Sequence, residues 1–121
     1  MRILIVDDSS MMRAMVRRVI TLSGVPVAGI LEAANGAEAL ALLESNDVQV
    51  LLTDINMPVM TGLELLREIA PHDRWRNLVR VIISTDGSSG RREEAADLDV
   101  CCYLEKPFTP EVLRDVLTFV A

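Results

Sequence analysis

The sequence predicts an α/β protein: a doubly wound five-stranded parallel sheet made by repeating a strand and a helix, (βα)5. Three observations predict it. Short apolar runs of strand length alternate along the whole chain with longer segments of helical period. The first three runs are continuously apolar rather than alternating, as strands covered by helices on both faces are. The chain has 121 residues, half of them apolar, which suits one domain over residues 1–121 with one real hydrophobic core. Aromatic residues are only 3 % of the total, so that core is built from Leu, Val, Ile, Met and Ala.

The first strand is expected over residues 2–6, where Ile3, Leu4, Ile5 and Val6 run into Asp7 and Asp8. Met12, Met15, Val16, Val19 and Ile20 then recur at the spacing of one helical face. A second strand fits residues 27–31, and Asn35-Gly36 opens a helix over 37–45. The third strand, 48–53, stops on Asp54 and breaks into a turn containing Pro58 and Gly62. Thr61 with Glu64 has the form of a capping box ahead of a helix at 63–70. Residues 79–84 make a fourth strand, 89–98 a fourth helix and 101–104 a fifth strand. Thr109-Pro110 sets a cap and a first-turn proline before the stripe Val112, Leu113, Val116, Leu117 and Val120. No linker, internal repeat or low-complexity segment interrupts the pattern.

Composition excludes several function classes. A net charge of -6 argues against a nucleic-acid footprint or an anionic membrane surface as partner. The apolar run at 3–6 is too short for a signal peptide and no stretch approaches a membrane span, so a cytoplasmic location is expected. The two cysteines, Cys101 and Cys102, are adjacent. On a strand they point to opposite faces, which speaks against a structural disulfide or a metal site, and buried thiols are expected. Trp75, in the loop HDRWRN, is expected to be peripheral to any site.

In an open doubly wound sheet, ligands bind beyond the carboxyl ends of the strands. Asp7 and Asp8 end the first strand, Asp54 the third and Ser84 the fourth, while Lys106 follows the fifth, so the polar groups of interest collect on one edge. If the first and third strands are neighbours, about 4.8 Å apart, the three carboxylates converge. Two carboxylates about 4 Å apart repel by roughly 4 kcal/mol at an effective dielectric near 20, a cost that protonation or a cation removes. An all-oxygen donor set suits magnesium, or manganese in its place. A carboxylate beside such an ion is a competent nucleophile towards phosphorus; Lys106 supplies a second positive charge and Ser84 a hydroxyl.

Each piece alone has an ordinary explanation. Asp7-Asp8 fits a solvated loop, Asn56-Met57-Pro58 plain turn chemistry, and Gly62 a backbone needing positive φ. Ser84 fits a strand-end hydroxyl, Lys106-Pro107 an extended dipeptide, and Tyr103 a half-buried edge-strand residue. The conjunction at four strand ends carries the argument.

Taken together with their spacings, these residues resemble the receiver domain of two-component response regulators, most of all stand-alone chemotaxis-type receivers, over about residues 2–120. The resemblance implies a flavodoxin-like sheet of order 2-1-3-4-5. It implies that Asp54 is the phosphoacceptor, that Asp8 binds Mg2+ directly and Asp7 through water, and that the backbone carbonyl of Asn56 completes the metal's protein ligands. Lys106 then contacts the phosphoryl group, Pro107 follows a cis peptide, and Tyr103 changes rotamer in signalling. Ser84 lies 30 residues after Asp54 and 22 before Lys106, the family spacing for the switch hydroxyl, with adjacent Thr85 the runner-up. Asn56 and Asp86 are polar side chains able to orient a water near Asp54 and tune dephosphorylation.

The expected function is a phosphorylation-driven switch. A sensor histidine kinase or phosphotransfer protein donates the phosphoryl group, and a downstream target protein reads the face of the fourth helix, fifth strand and fifth helix. The chemistry is self-catalysed phosphotransfer and autodephosphorylation in a signalling domain rather than an enzyme. A pseudo-receiver interaction module lacks part of the acidic triad, and none is missing here. A phosphatase of the haloacid dehalogenase type needs Asp-x-Asp after its first strand, where this chain has Asp7-Asp8. A flavodoxin-like cofactor carrier needs a glycine-rich phosphate loop that does not follow the first strand. One departure from the family is local: Leu98-Asp99-Val100 stands where a glycine is usual, so Asp99 must turn left-handed or the helix end is remodelled.

Overall fold

The computed structural model describes residues 1–84, 98–106 and 108–120. Five strands, β1 (Arg2–Val6), β2 (Gly29–Ala33), β3 (Val50–Thr53), β4 (Val79–Ser84) and β5 (Cys102–Glu105), form one sheet in the order β2-β1-β3-β4-β5. Every neighbouring pair is parallel. The crossovers carry α1 (Ser10–Ser23), α2 (Gly36–Ser45) and α3 (Gly62–Ile69), a short 3-10 helix (Asp73–Trp75) precedes β4, and a C-terminal helix spans Pro110–Val120. The fourth helix expected at 89–98 falls, but for its last residue, outside the described residues.

Alternation along the strands builds two cores. Leu4, Val6, Leu51 and Ile82 point to the layer of α2 and α3, where Leu43, Leu63, Leu66 and Ile69 meet them. Ile3, Ile5, Val50, Leu52, Val81 and Ile83 point the other way, to Val16 and Ile20 of α1 and Leu113 and Leu117 of the C-terminal helix. Apolar burial on both faces is why β1 and β3 read as unbroken apolar runs.

Helix starts follow the side-chain chemistry of their caps. Thr61 Oγ1 accepts the Glu64 N–H at 3.2 Å while the Glu64 carboxylate accepts the Thr61 N–H at 3.1 Å, the reciprocal capping box. Asn35 Oδ1 accepts from Glu38 N at 2.9 Å, and Thr109 Oγ1 from Val112 N at 3.2 Å.

Several expectations need correction. β2 begins two residues later than expected, at Gly29, and continues through Glu32 to Ala33. A charge in the run hid its end, and that charge is tolerated because β2 is an edge strand and Arg13 and Arg17 pair with Glu32 at 3.0 and 2.6 Å. Trp75 is buried in the first core rather than lying in an open loop, although it precedes β4 and so sits at the edge of the sheet away from Asp54. The thiols are not buried: Cys101 is exposed and Cys102 only half-buried, because Cys101 precedes β5 instead of lying within it. Asp99 takes the left-handed alternative, with φ 60°.

Candidate functional site

The parallel register pairs Val6 with Thr53, so the next residues of β1 and β3, Asp7 and Asp54, leave the sheet side by side. The ladder runs one step further: Asp54 N–H donates to Val6 O at 2.9 Å and Asp7 N–H to Ala33 O at 3.1 Å. On the far side, Ser84 pairs with Glu105, and the Lys106 N–H donates to Ser84 O at 3.0 Å. The acid that ends β3 therefore stands at the same sheet edge as Asp7 and Lys106.

Asp7 is buried and fully engaged. Its Oδ1 accepts the Ser9 N–H at 2.9 Å, closing a turn that leads into α1, and its Oδ2 accepts from Lys106 Nζ at 2.8 Å. Asp54 Oδ1 accepts its neighbour's Ile55 N–H at 2.7 Å, which leaves Oδ2 facing Lys106 Nζ at 3.5 Å. Asp8 is exposed. One carboxylate oxygen from each of Asp7, Asp8 and Asp54 lies within 4.8 Å of the others, a grouping able to hold a metal ion among the described residues. The donors are oxygens only, and the lone ammonium of Lys106 faces two acids, so the cluster keeps an excess of negative charge that a hard divalent cation fits.

Burial pushes the Asp54 carboxyl above the ordinary range; the Lys106 charge and the Ile55 N–H oppose this, and the Asp7 charge adds to it. Asp54→Asn is therefore expected to raise the stability of the metal-free protein at neutral pH by about 1 kcal/mol, the usual gain when a strained functional group is removed. With a raised folded-state pKa, the native state keeps a proton that the unfolded chain has already lost. Stability then falls as pH rises from the ordinary aspartate value through the raised one. The advantage of the variant is complete above that window and absent below it. Urea unfolding of both proteins across the acid range checks this, and an advantage that grows on acidification contradicts it.

The loop after Asp54 is held tightly. Gly62 does not have the positive φ that its residue type suggested; what it supplies is space. A Cβ there would lie 1.9 Å from Asp54 O, while its N–H donates to Ile55 O at 2.8 Å and Thr53 Oγ1 donates to Asp54 O at 2.9 Å. The positive φ falls instead on Val59, at 67°, where Met60 N–H closes on Pro58 O at 2.7 Å in a γ-turn. A β-branched residue in that region is strained.

Ser84 is buried at the last position of β4. By alternation it shares a face with Ile82, and the pairing of Ile82 with Tyr103 brings the half-buried Tyr103 to that same layer. Asn56 is exposed, two residues beyond Asp54. Thr85, Asp86 and Pro107 lie outside the described residues.

Sequence reasoning missed Arg13. Its Nη1 donates to Asp7 O at 2.5 Å while its Nε holds Glu32, so α1 is tied to the acidic turn. The Arg17 hydrogen bond holds the Glu32 carboxyl below its ordinary pKa against the cost of burial, with Arg13 helping. The available signal was Arg13 and Arg17, four apart on one helix face, beside a lone acid in an apolar run.

A cavity of about 460 Å³ lined by residues including Leu43, Asn46, Arg74 and Trp75 lies at the amino edge of the sheet.

Comparison with known proteins shows the family and agrees with the fold. The family model of the response regulator receiver domain matches residues 3–118. The chemotaxis protein CheY1 of Helicobacter pylori is 40 % identical over 99 % of this chain and 96 % of its own length. The chemotaxis protein CheY of Pseudomonas aeruginosa is 37 % identical over 95 % of this chain and 91 % of its own. Among solved structures, the chemotaxis protein CheY4 of Vibrio cholerae superposes with a TM-score of 0.87 at 32 % identity, covering 99 % of this chain and 98 % of the other. A DNA-binding response regulator of the LuxR family from Staphylococcus aureus gives 0.87 at 31 %, covering 98 % and 97 %. The chain belongs to the response regulator receiver domain family.

Proposed function

We propose that the chain is a phosphorylation-activated signalling switch in which Asp54 accepts a phosphoryl group from the phosphohistidine of a sensor histidine kinase or phosphotransfer protein. The observation that carries this is the convergence of the Asp7, Asp8 and Asp54 carboxylates within 4.8 Å, with Lys106 Nζ against two of them. Asp54 Oδ2 attacks phosphorus; the P–O bond forms, the P–N bond breaks, and the released histidine nitrogen takes a proton from solvent. The Ile55 N–H fixes the other carboxylate oxygen and so orients the attacking one.

Asp8, Asp54 and the Asn56 carbonyl would hold magnesium, or manganese in its place, with Asp7 acting through water. When bound, the ion neutralises charge on the transferring phosphoryl group. Asp7, anchored by Ser9 and Lys106, keeps its oxygens turned towards the cluster. Lys106 moves from its long 3.5 Å contact with Asp54 to the arriving phosphoryl oxygens. The Ser84 hydroxyl, preferred over Thr85, bonds one of those oxygens, and Tyr103 on the same layer changes rotamer in response. Pro107, next to Lys106 in sequence, is the third switch residue of this reading. The altered face of the fourth helix, β5 and the C-terminal helix is what a downstream target protein reads.

Asn56 and Asp86 admit the water that ends the signal by autodephosphorylation. The net charge of -6 supports protein partners rather than nucleic acid or membrane, and the short apolar run at 3–6 supports a cytoplasmic setting. No helix among the described residues is long and apolar enough to cross a membrane.

The test is incubation with magnesium and a small acyl-phosphate donor, read by intact mass. A single added phosphoryl mass that a chelator abolishes is expected. No gain, or a gain indifferent to the cation, contradicts the reading.

A further inference from the structure

Cys102 is the first residue of β5 and Cys101 lies just before it, so the two side chains escape the opposite-face rule of a strand. Their Sγ atoms stand 3.4 Å apart as free thiols, Cys101 exposed and Cys102 half-buried. We propose that this pair is a reversible modification site, a dithiol that small-molecule disulfides oxidise to a Cys101–Cys102 disulfide.

The two sulfurs divide the work. Cys101 is open to solvent and meets the reagent. Cys102 packs against the core on the side of α1 and the C-terminal helix, and its thiol is pushed up to about 11, first by burial and then by the hydrogen bond and charge of Cys101. It is therefore the slower first attacker and the later, resolving one.

In the first exchange the Cys101 thiolate attacks the small disulfide and releases one small thiol, which carries off the proton that Cys101 gave up. In the second, Cys102 loses its proton and attacks the Cys101 sulfur, expelling the second small thiol with that proton. Two protein thiols are oxidised and one small disulfide is reduced to two thiols.

The product is easily reversed. Neighbouring Cα atoms across a trans peptide are about 3.8 Å apart, whereas relaxed disulfides span about 4.4–6.8 Å, and a strained bond is the more readily reduced. Cys102 pairs in register with Val81, so the modification acts at the first residue of the strand that carries Tyr103.

The experiment treats the folded protein, C101S and C102S with glutathione disulfide, alkylates remaining thiols and reads intact mass. The parent chain is expected to lose two hydrogens, carry neither glutathione nor alkyl groups, and recover both thiols with dithiothreitol. C102S is expected to retain one glutathione on Cys101, and C101S to react at least about tenfold more slowly. A parent chain that stays reduced, retains glutathione or couples to a second chain overturns the proposal. Equal rates for the two single variants overturn the assignment of roles.

Discussion

Lys106→Ala is expected to cost about 3–5 kcal/mol of stability in metal-free buffer, the usual penalty for removing one partner of a buried ion pair. The Lys106 side chain is 9 % exposed, and those of Asp7 and Asp54, its two partners, are 6 % and 15 % exposed. Removing it leaves two desolvated acids facing each other with no compensating charge. Magnesium is expected to restore more stability to the variant than to the parent, because the cation takes over a neutralisation that the parent already has in part. Urea unfolding with and without magnesium measures both effects. A loss below about 1 kcal/mol, as for an exposed pair, contradicts the central place given to Lys106.

Gly62→Ala is expected to cost about 2–3 kcal/mol, at the upper end of what overpacking does, and to displace the site. The new methyl would stand 1.9 Å from the carbonyl oxygen of Asp54 and 3.1 Å from Ile55 Cα. Both are backbone atoms, so no side chain can swing aside, and either the loop or the Asp54 carbonyl must move. That carbonyl belongs to the residue whose carboxylate ends β3, so phosphoryl uptake from a small donor is expected to fall along with stability. Alanine tolerated at full stability and uptake shows that the close approach is not needed.

The sheet was readable because its physics is local and repeated. Strands buried on both faces produce apolar runs, and helices between two layers produce stripes, so β1, β4, α1 and the C-terminal helix could be placed from hydrophobic pattern alone. The pattern failed where charge or polarity entered an element for a tertiary reason. Glu32 disguised the end of β2 because its partners, Arg13 and Arg17, come from a separate element, α1. Trp75 is peripheral to the carboxylate cluster as expected, but nothing in HDRWRN reveals the core that receives it. The order of the strands came from resemblance to the family, since crossovers of this kind leave several orders open.

Much of the site was also written in sequence. A carboxylate directly after an apolar strand is visible as a residue type at a boundary, and Asp7, Asp54 and Lys106 meet as their strand ends imply. What the residues alone left open were distances across the chain. Gly62 suggested an unusual φ, but its Cβ is excluded by backbone eight residues earlier, and the unusual φ belongs to Val59. Arg13 gave no sign of reaching the Asp7 carbonyl. Cys101 and Cys102 were misjudged through a boundary error of one residue, enough to turn two thiols from opposite faces towards each other.

The most direct test sets Asp54→Asn beside the parent chain, each incubated with magnesium and a small acyl-phosphate donor and weighed intact. The Ile55 N–H holds one carboxylate oxygen of Asp54 and Lys106 faces the other, the acceptor in the proposed reaction. The account predicts one phosphoryl mass on the parent and none on the variant. The same mass persisting on Asp54→Asn places the acceptor elsewhere and contradicts it.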